Sequence, residues 1–573
     1  MNALRIAFWL SYAICLSLAA EEGGFIKLQK YPSDTKSAEV DTVVYIDETL
    51  PKEEIVIVPG LKAALEGIEK IDASFVNKTT VHPANLESNS TVERIIFSPT
   101  GRLDSDVADS RSIYEAAHKA LTMAYKAGAK NILLLIGNMT NAPSDYNQEP
   151  WAEPKYRNLQ ALLGALYALY VPLEVRECCP ERKSKYDNLY AAMAYESTPS
   201  QRDGKVNDLD WAIKYANAIE EGRWVARDIC GSDSERMSTA NILEYLKSNP
   251  NLSKLITEDI PVEEAQYPLM AAVDRGNKGV TRHEGRVVKM AYGDNSTASK
   301  ILLLVGKGIT FDTGGYDLKV SGGMVGMHRD KCGAAAFVGF LRTASILEPT
   351  DLYISAKLAF VRNALSARAY TVDEIIKSRA GKRVRIGNTD AEGRMVMTDL
   401  IAEAKEEVQS FSFASIFCLW ASRKLVRVIH NFALNQFKGK DVQIITAATL
   451  TGHVVRCYKW ITGAMENGPS KNANFLKQLR FSGDQISDML ETEDYLQCNN
   501  AGSVTTTRGH QFPAAFMIQA SGLDAHGMDS DTPIKFAHLD VAGSAGLIDT
   551  VPTAAPMTML TNHFLIKQKP TSS

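Results

Sequence analysis

The sequence predicts an α/β protein: a small N-terminal α/β domain, joined by a long helix to a larger α/β domain with a mixed, helix-covered sheet. Three observations carry that expectation. Helical and strand-like apolar periods alternate along the first third of the chain, one uninterrupted helical pattern covers Asp208–Ile229, and β-rich runs recur at wide spacing beyond it. A length of 573 residues also exceeds one ordinary core and agrees with two domains.

Taken in order, the first element pair is a helix feeding a strand. Ile113, Ala116, Ala117, Ala120, Leu121 and Ala124 recur at helical spacing, Gly128 stops the run, and Asn131–Ile136 is a short apolar block. Leu159–Tyr170 is apolar on most sides and Val171–Val175 reads as the strand after it, which assigns residues 21–205 to the N-terminal domain. Ser197–Lys205, rich in Ser, Pro, Gly and charge, reads as its boundary. Residues 206–229 form the linking helix and 230–573 the larger domain. In the latter, Arg286–Tyr292 and Lys300–Val305 flank the turn-forming Gly293-Asp294-Asn295-Ser296, which predicts a hairpin or neighbouring strands. Tyr353–Val361 and Val442–Ala447 are further strands, with helices between them.

Composition removes several function classes. With 45% hydrophobic and 23% charged residues the chain buries a real core, which excludes disordered and collagen-like scaffolds. The 63 basic and 67 acidic residues leave a net charge of -4, so nothing marks a nucleic-acid partner. Ten histidines never form HExxH and eight cysteines show no CxxC, so metal chemistry has to rest on carboxylates, and most cysteines read as buried thiols. At the N-terminus, Arg5, the apolar Ile6–Leu16 and then Ser17-Leu18-Ala19 make residues 1–20 resemble a cleavable signal peptide. The apolar run is too short to span a bilayer, so no stable membrane anchor is expected.

Two segments concentrate chemistry. In Val305–Lys319 an apolar strand is read as ending in Gly306-Lys307-Gly308, and Asp312 is followed by Gly314 and Gly315, which allow a sharp turn and close approach to a ligand. In Asn388–Arg394, Asp390 and Glu392 stand two apart, on one side of an extended segment. With Asp330 these make four carboxylates, enough hard oxygen ligands for two divalent cations. Alone, an Asp in a glycine turn is ordinarily a turn former, and Lys307 and Lys319 ordinarily solvated charges. A phosphate-cradling loop is a weak alternative, because neither GxxxxGK[ST] nor GxGxxG spacing is present. The joint occurrence of both segments favours the metal reading.

The segments together resemble the leucyl aminopeptidase family, of the cytosol aminopeptidase type with a dinuclear metal centre. NTDAEGR stands complete at Asn388–Arg394, GKG-x-x-FD-x-GG-x-x-x-K at Gly306–Lys319, ATLTG at Ala448–Gly452 and AHLD-x-AG at Ala537–Gly543. The resemblance covers about Cys230–Leu565 and implies a metal-dependent aminopeptidase that removes the N-terminal residue of peptides. It assigns one divalent ion to Asp312, Asp390 and Glu392, and the other to Lys307, Asp312, Asp330 and Glu392; Zn or Mn are the candidates, with Mg a third. Hydroxide held between the ions would attack the scissile carbonyl, Lys319 would stabilise the oxyanion, and Arg394 would hold bicarbonate as general base. Met327, Thr449 and Gly452 would line a pocket for a bulky apolar, leucine-like residue, and the subunits would assemble as a homohexamer. A catalytically impaired homologue serving as an oligomeric scaffold is the alternative. For the compartment, the family implies the cytoplasm and the N-terminal segment implies secretory entry.

Three departures stand out. Lys331 replaces a methionine beside a candidate ligand, with Cys332 next to it read as a small buried residue, and Arg508-Gly509-His510-Gln511 replaces a glycine-richer stretch. The third is an apolar insert, residues 411–436, read as translated intron sequence ahead of a partner-binding hairpin.

Overall fold

The computed structural model describes residues 25–566 except 33–38, 87–89, 105–108, 140–152, 196–207, 410–436, 438, 473–492, 501 and 507. The signal-like segment 1–20, the boundary Ser197–Lys205 and the insert 411–436 therefore lie outside the described residues. The chain divides into two compact units, 1–221 and 222–573, the division falling within a helix that spans Asp208–Gly231.

The first unit is built on six strands: β1 (Gln29–Lys30), β2 (Thr42–Asp47), β3 (Thr80–Pro83), β4 (Arg94–Pro99), β5 (Asn131–Ile136) and β6 (Asn188–Met193). They lie in the order β1-β6-β5-β2-β4-β3, parallel throughout except for the antiparallel pair of β3 and β4. The central strands β2 and β5 are near-continuous apolar runs because both faces are covered. Helix Ser110–Lys126 starts where the Asp109 side chain accepts a hydrogen bond from Arg111 N, and it buries Ile113, Ala116, Ala117, Ala120, Leu121 and Ala124, the periodic set. Burying Ile113 and Leu121 contributes about 1.5–3 kcal/mol each. The expected strand at Val171–Val175 is not formed. Pro172 sits at the N-cap of a short helix, Leu173–Cys178, whose start its fixed φ favours over strand pairing. The next strand in the chain is β6, which pairs with β5 on the side opposite β2.

The second unit holds a seven-stranded mixed sheet in the order β14-β16-β13-β9-β10-β8-β7. Its members are β7 (Ile256–Pro261), β8 (Arg286–Tyr292), β9 (Lys300–Asp312), β10 (Leu352–Asn363), β13 (Asp441–Ala448), β14 (Gly463–Glu466) and β16 (Lys535–Asp540); β11 (Ile375–Lys377), β12 (Arg383–Arg385) and β15 (Tyr495–Leu496) form a small second sheet. The four central strands β16, β13, β9 and β10 run parallel, with antiparallel strands at both edges. Residues of Pro268–Asp274, Glu392–Val408 and Gln511–Ala520 join the sheet in one apolar core. β8 and β9 are neither a hairpin nor neighbours, because β10 lies between them and pairs with both. β10 is long and almost wholly buried, so its backbone needs a partner on each side.

The strand carrying the first motif does not end at Gly306. β9 continues to Asp312, and its glycines serve close packing instead of a turn: a Cβ on Gly306 would lie 2.6 Å from Ala334 Cα, and one on Gly308 2.7 Å from Phe360 Cδ1. The chain turns later, at Gly314 (φ 86°) and Gly315 (φ 66°), conformations that glycine adopts without strain. β9, β10 and β13 consequently deliver Asp312, Asn363 and the Thr449–Thr451 turn at the carboxyl edge of the parallel strands, where α/β sheets characteristically bind ligands.

Candidate active site

β9 supplies Lys307 and Asp312. Lys307 is buried, and its stem passes a glycine that leaves it room, since a Cβ on Gly393 would stand 2.6 Å from Lys307 Cε. Its ammonium lies 2.7 Å from Asp330 Oδ2 and 2.9 Å from Glu392 Oε1, and it donates to the Thr449 carbonyl at 3.0 Å. Asp330 follows the single turn Met327–Arg329 and accepts a hydrogen bond from Thr449 Oγ1 at 2.7 Å. Asp312 accepts from Gly314 N through Oδ1, while Lys319 Nζ stands 2.9 Å from Asp312 Oδ2 and 2.5 Å from Asp390 Oδ1.

Asp390 and Glu392 do not share an extended segment. Asn388 Oδ1 accepts from Asp390 N at 2.7 Å and folds the stretch into a turn, after which Glu392 opens the helix Glu392–Val408. Asp390 is thereby paired with Lys319 and Glu392 with Lys307. A carboxylate in the first turn is also favoured by the helix dipole.

The set fits divalent cations. Oxygens of Asp312, Asp330 and Glu392 lie within 4.8 Å of one another, all three residues buried. Asp330 Oδ2, Asp390 Oδ1 and Glu392 Oε1 are buried, with lysine nitrogens at 2.5–2.9 Å. Four carboxylates face two ammonium groups, an excess of negative charge. Burial, then Asp312 and Glu392, pushes the Asp390 carboxyl up to about 7. Burial raises Asp330 and Glu392 likewise. For Lys307, burial pulls down, but Asp330, Glu392 and Asp312 outweigh it, so the ammonium holds its proton more tightly than usual. Hard oxygen donors at this density suit Mg, Mn or Zn.

Arg394 lies buried on the same helix, donating to the Gln497 carbonyl at 3.0 Å with its guanidinium 5.5 Å from the centre of the Phe512 ring, and its Nε–H meets no acceptor of hydrogen-bond geometry among the described residues. Of the pocket candidates, Met327 opens the turn that carries Asp330, and Thr449 bonds Asp330. Gly452 opens the helix Gly452–Tyr458, and a Cβ there would meet, among the described residues, just Ser503 Oγ, at 3.8 Å. His510, from the atypical stretch, is buried edge-on against Tyr458.

Three supporting residues escaped the sequence reading of the site. Asn363 Nδ2 lies 2.9 Å from Asp312 Oδ1, 3.1 Å from the Thr389 carbonyl and 3.3 Å from Glu392 Oε2, bridging two candidate ligands. An irregularity between Val361 and Asn363 brings it level with Asp312. Gln497 accepts from Gly387 N and Asn388 N and donates to the Asn388 and Ala391 carbonyls, fixing the turn that carries Asp390. Asp540, inside a quoted motif but given no role, accepts from Thr451 Oγ1 at 2.7 Å and from Leu450 N at 3.2 Å, holding the Thr449 turn. A lone Asn after a strand or a lone Gln in a loop carries no pattern that could have flagged it. Asn363→Leu keeps a similar volume and removes all three contacts, so Mn²⁺ affinity measured calorimetrically is expected to fall by about tenfold or more.

The cysteines differ from expectation. Cys332 is a small buried residue as read, but it is joined to Cys230 in a disulfide instead of carrying a thiol. Among the other described cysteines, Cys178 and Cys457 are exposed and Cys179 and Cys498 half-buried, because they sit at short-helix ends and in loops where no core covers them.

Comparison with known proteins gives a consistent picture. Residues 224–561 match the catalytic domain of the cytosol aminopeptidase family. A Caenorhabditis elegans protein named as an aminopeptidase is 33% identical over 526 residues, covering 87% of this chain and 91% of that protein. A Clostridium tetani protein named as a cytosol aminopeptidase is 29% identical over 342 residues, 58% of this chain and 62% of that one. A tomato leucine aminopeptidase variant shares the fold at a TM-score of 0.67 and 18% identity, covering 93% of this chain and 95% of the other. The bottromycin maturation enzyme BotP in complex with Mn does so at 0.64 and 18%, covering 91% and 98%. With a catalytic-domain match across more than half its length, this chain belongs to the cytosol aminopeptidase family of metal-dependent aminopeptidases.

Proposed function

We propose that the chain hydrolyses the first peptide bond of substrates with a free N-terminus and a bulky apolar, leucine-like first residue, using two divalent ions and residues 230–573 for the chemistry. The observation that carries this reading is the buried cluster in which oxygens of Asp312, Asp330 and Glu392 lie within 4.8 Å of one another and, with Asp390, outnumber the two lysines beside them. Asp312, Asp390 and Glu392 would hold one ion, and Lys307, Asp312, Asp330 and Glu392 the other. Zn or Mn suits the set, with Mg a third option. Two such ions supply, when bound, an activated water and polarisation of the scissile carbonyl.

The chain's own residues have separable tasks. To serve as a ligand Lys307 would have to release its proton to solvent, which the cations would favour by neutralising the carboxylates that hold it. Without metal, Asp312, Glu392 and Asp390 outweigh the effect of burial and hold the Lys319 proton; not being assigned as a ligand, Lys319 would keep that proton and present a positive charge to the developing oxyanion. Arg394 offers a planar guanidinium fork of the shape that holds bicarbonate, the candidate general base. Met327, Thr449 and Gly452 would border the space for the first side chain, a reading that the room around Gly452 supports. By family likeness the active assembly is a homohexamer.

Chelation followed by reloading tests the reading. Leucyl-amide turnover is expected to vanish on removal of metal and to return with Mn²⁺ or Zn²⁺. A metal-loaded, folded protein without turnover would favour the oligomeric scaffold instead.

A further inference from the structure

We propose that Lys331 and the Cys230–Cys332 disulfide form a clamp that holds Asp330 in its ligating position, an inference resting on the reading of Asp330 as a metal ligand. Lys331 immediately follows Asp330, and its ammonium donates to the Ser232 carbonyl at 3.0 Å and to the His328 carbonyl. Cys332, the next residue, is bonded to Cys230, two positions before Ser232. Two consecutive residues thus tie the Asp330 turn to one place, the C-terminal end of the helix Asp208–Gly231. The Cα atoms of the two cysteines are 4.7 Å apart, within the range of ordinary disulfides.

The charge at position 331 has a physical reason to be there. Lys331 is fully buried, and a buried ammonium is stable only with compensating acceptors. The helix end provides them: Ser232 N still bonds the Asp228 carbonyl at 3.3 Å, so the Ser232 carbonyl lies where the negative end of the helix dipole is felt. His328 lends its carbonyl from the same turn as Asp330. A methionine here could fill space but could donate no hydrogen bond.

The turn also needs an anchor. On its N-terminal side runs an exposed stretch with Ser321, Gly322 and Gly326 at positive φ. Asp330 is meanwhile required at Lys307 Nζ and Thr449 Oγ1. Fixing residues 331 and 332 removes the freedom on the other side and presents Asp330 with its orientation set, the service that groups behind the ligands give a metal site.

Three measurements on the full-length chain test the clamp: alkylation mapping of denatured, unreduced protein, amide exchange of residues 327–336 in the metal-free state, and Mn²⁺ titration. Wild type is expected to keep Cys230 and Cys332 unalkylated until a dithiol reductant is added. Lys331→Met and Cys230→Ala are each expected to speed exchange in that segment and to weaken one of the Mn²⁺ sites, both by about tenfold or more, with activity regained at saturating Mn²⁺. Should Lys331→Met fail to fold, the Cys230→Ala/Cys332→Ala pair, which exchanges one small buried group for another, carries the same measurements. Alkylation of both cysteines before reduction, or unchanged exchange in the variants, would overturn the clamp. Faster exchange in the variants with no Mn²⁺ binding by wild type would leave the tether standing and remove the metallopeptidase reading.

Discussion

Glu392→Gln is expected to lower kcat/KM for leucyl-amide by on the order of a thousandfold or more and to abolish tight binding of the metal pair. Glu392 Oε1 stands 2.9 Å from Lys307 Nζ, and its Oε2 receives Asn363, so both oxygens are committed to the cluster. Glutamine preserves the volume and the helix start but removes the charge proposed to serve both ions. The stability consequence has the opposite sign. Burial and Asp312 both disfavour the ionised Glu392, with Lys307 and Lys319 only partly compensating. Without metal, removing this charge relieves repulsion, so the chelated variant should unfold at a temperature no lower than chelated wild type. Wild type should gain thermal stability on Mn²⁺ addition, as any protein does whose ligand binds the folded state alone, and the variant should not. Wild-type turnover by Glu392→Gln would end the two-metal reading.

The fold class was legible because the evidence for it is local. Alternating periods at Ile113–Ala124 and Asn131–Ile136 are buried as their spacing demands, and the long helical pattern from Asp208 is one helix. The misreadings arose where non-local packing decides. Gly306 and Gly308 look like turn residues but are strand positions pressed against Ala334 and Phe360, partners 28 and 52 positions away. The supposed hairpin after Gly293 failed because β10, from later in the chain, inserts beside both strands. At Val171–Val175, β-branched residues were outweighed by Pro172.

The candidate site divides in the same way. Its charged residues stood in motifs whose joint presence is improbable by chance, and the structure gathers Lys307, Asp312, Lys319, Asp330, Asp390 and Glu392 into one network. The groups that hold them in place were invisible. Asn363 and Gln497 act through single amides with no spacing rule, and Cys230 and Cys332 are 102 positions apart without any pairing signature. Spacing reports residues that must approach one ligand from one segment; it carries nothing about partners supplied by the topology.

The other large effect expected concerns the substrate's amine. If a free α-amine is anchored at the metal pair, acetylating the N-terminus of a good substrate removes the basic nitrogen and adds bulk where the chain must end. The scissile bond itself is untouched, so any loss measures recognition of the terminus. An amine nitrogen has a lone pair free to ligate a divalent ion, whereas in the acetylated compound that pair is delocalised into the amide carbonyl and ligates poorly. Misplacement of the carbonyl relative to Lys319 also forfeits the positioning on which the rate depends. Cleavage of the N-acetyl derivative of leucyl-amide should therefore fall by at least about two to three orders of magnitude in kcat/KM against the parent compound on one metal-loaded preparation. An endopeptidase, or a hydrolase reading only the carbonyl, would treat the two alike, and comparable values would refute the aminopeptidase register.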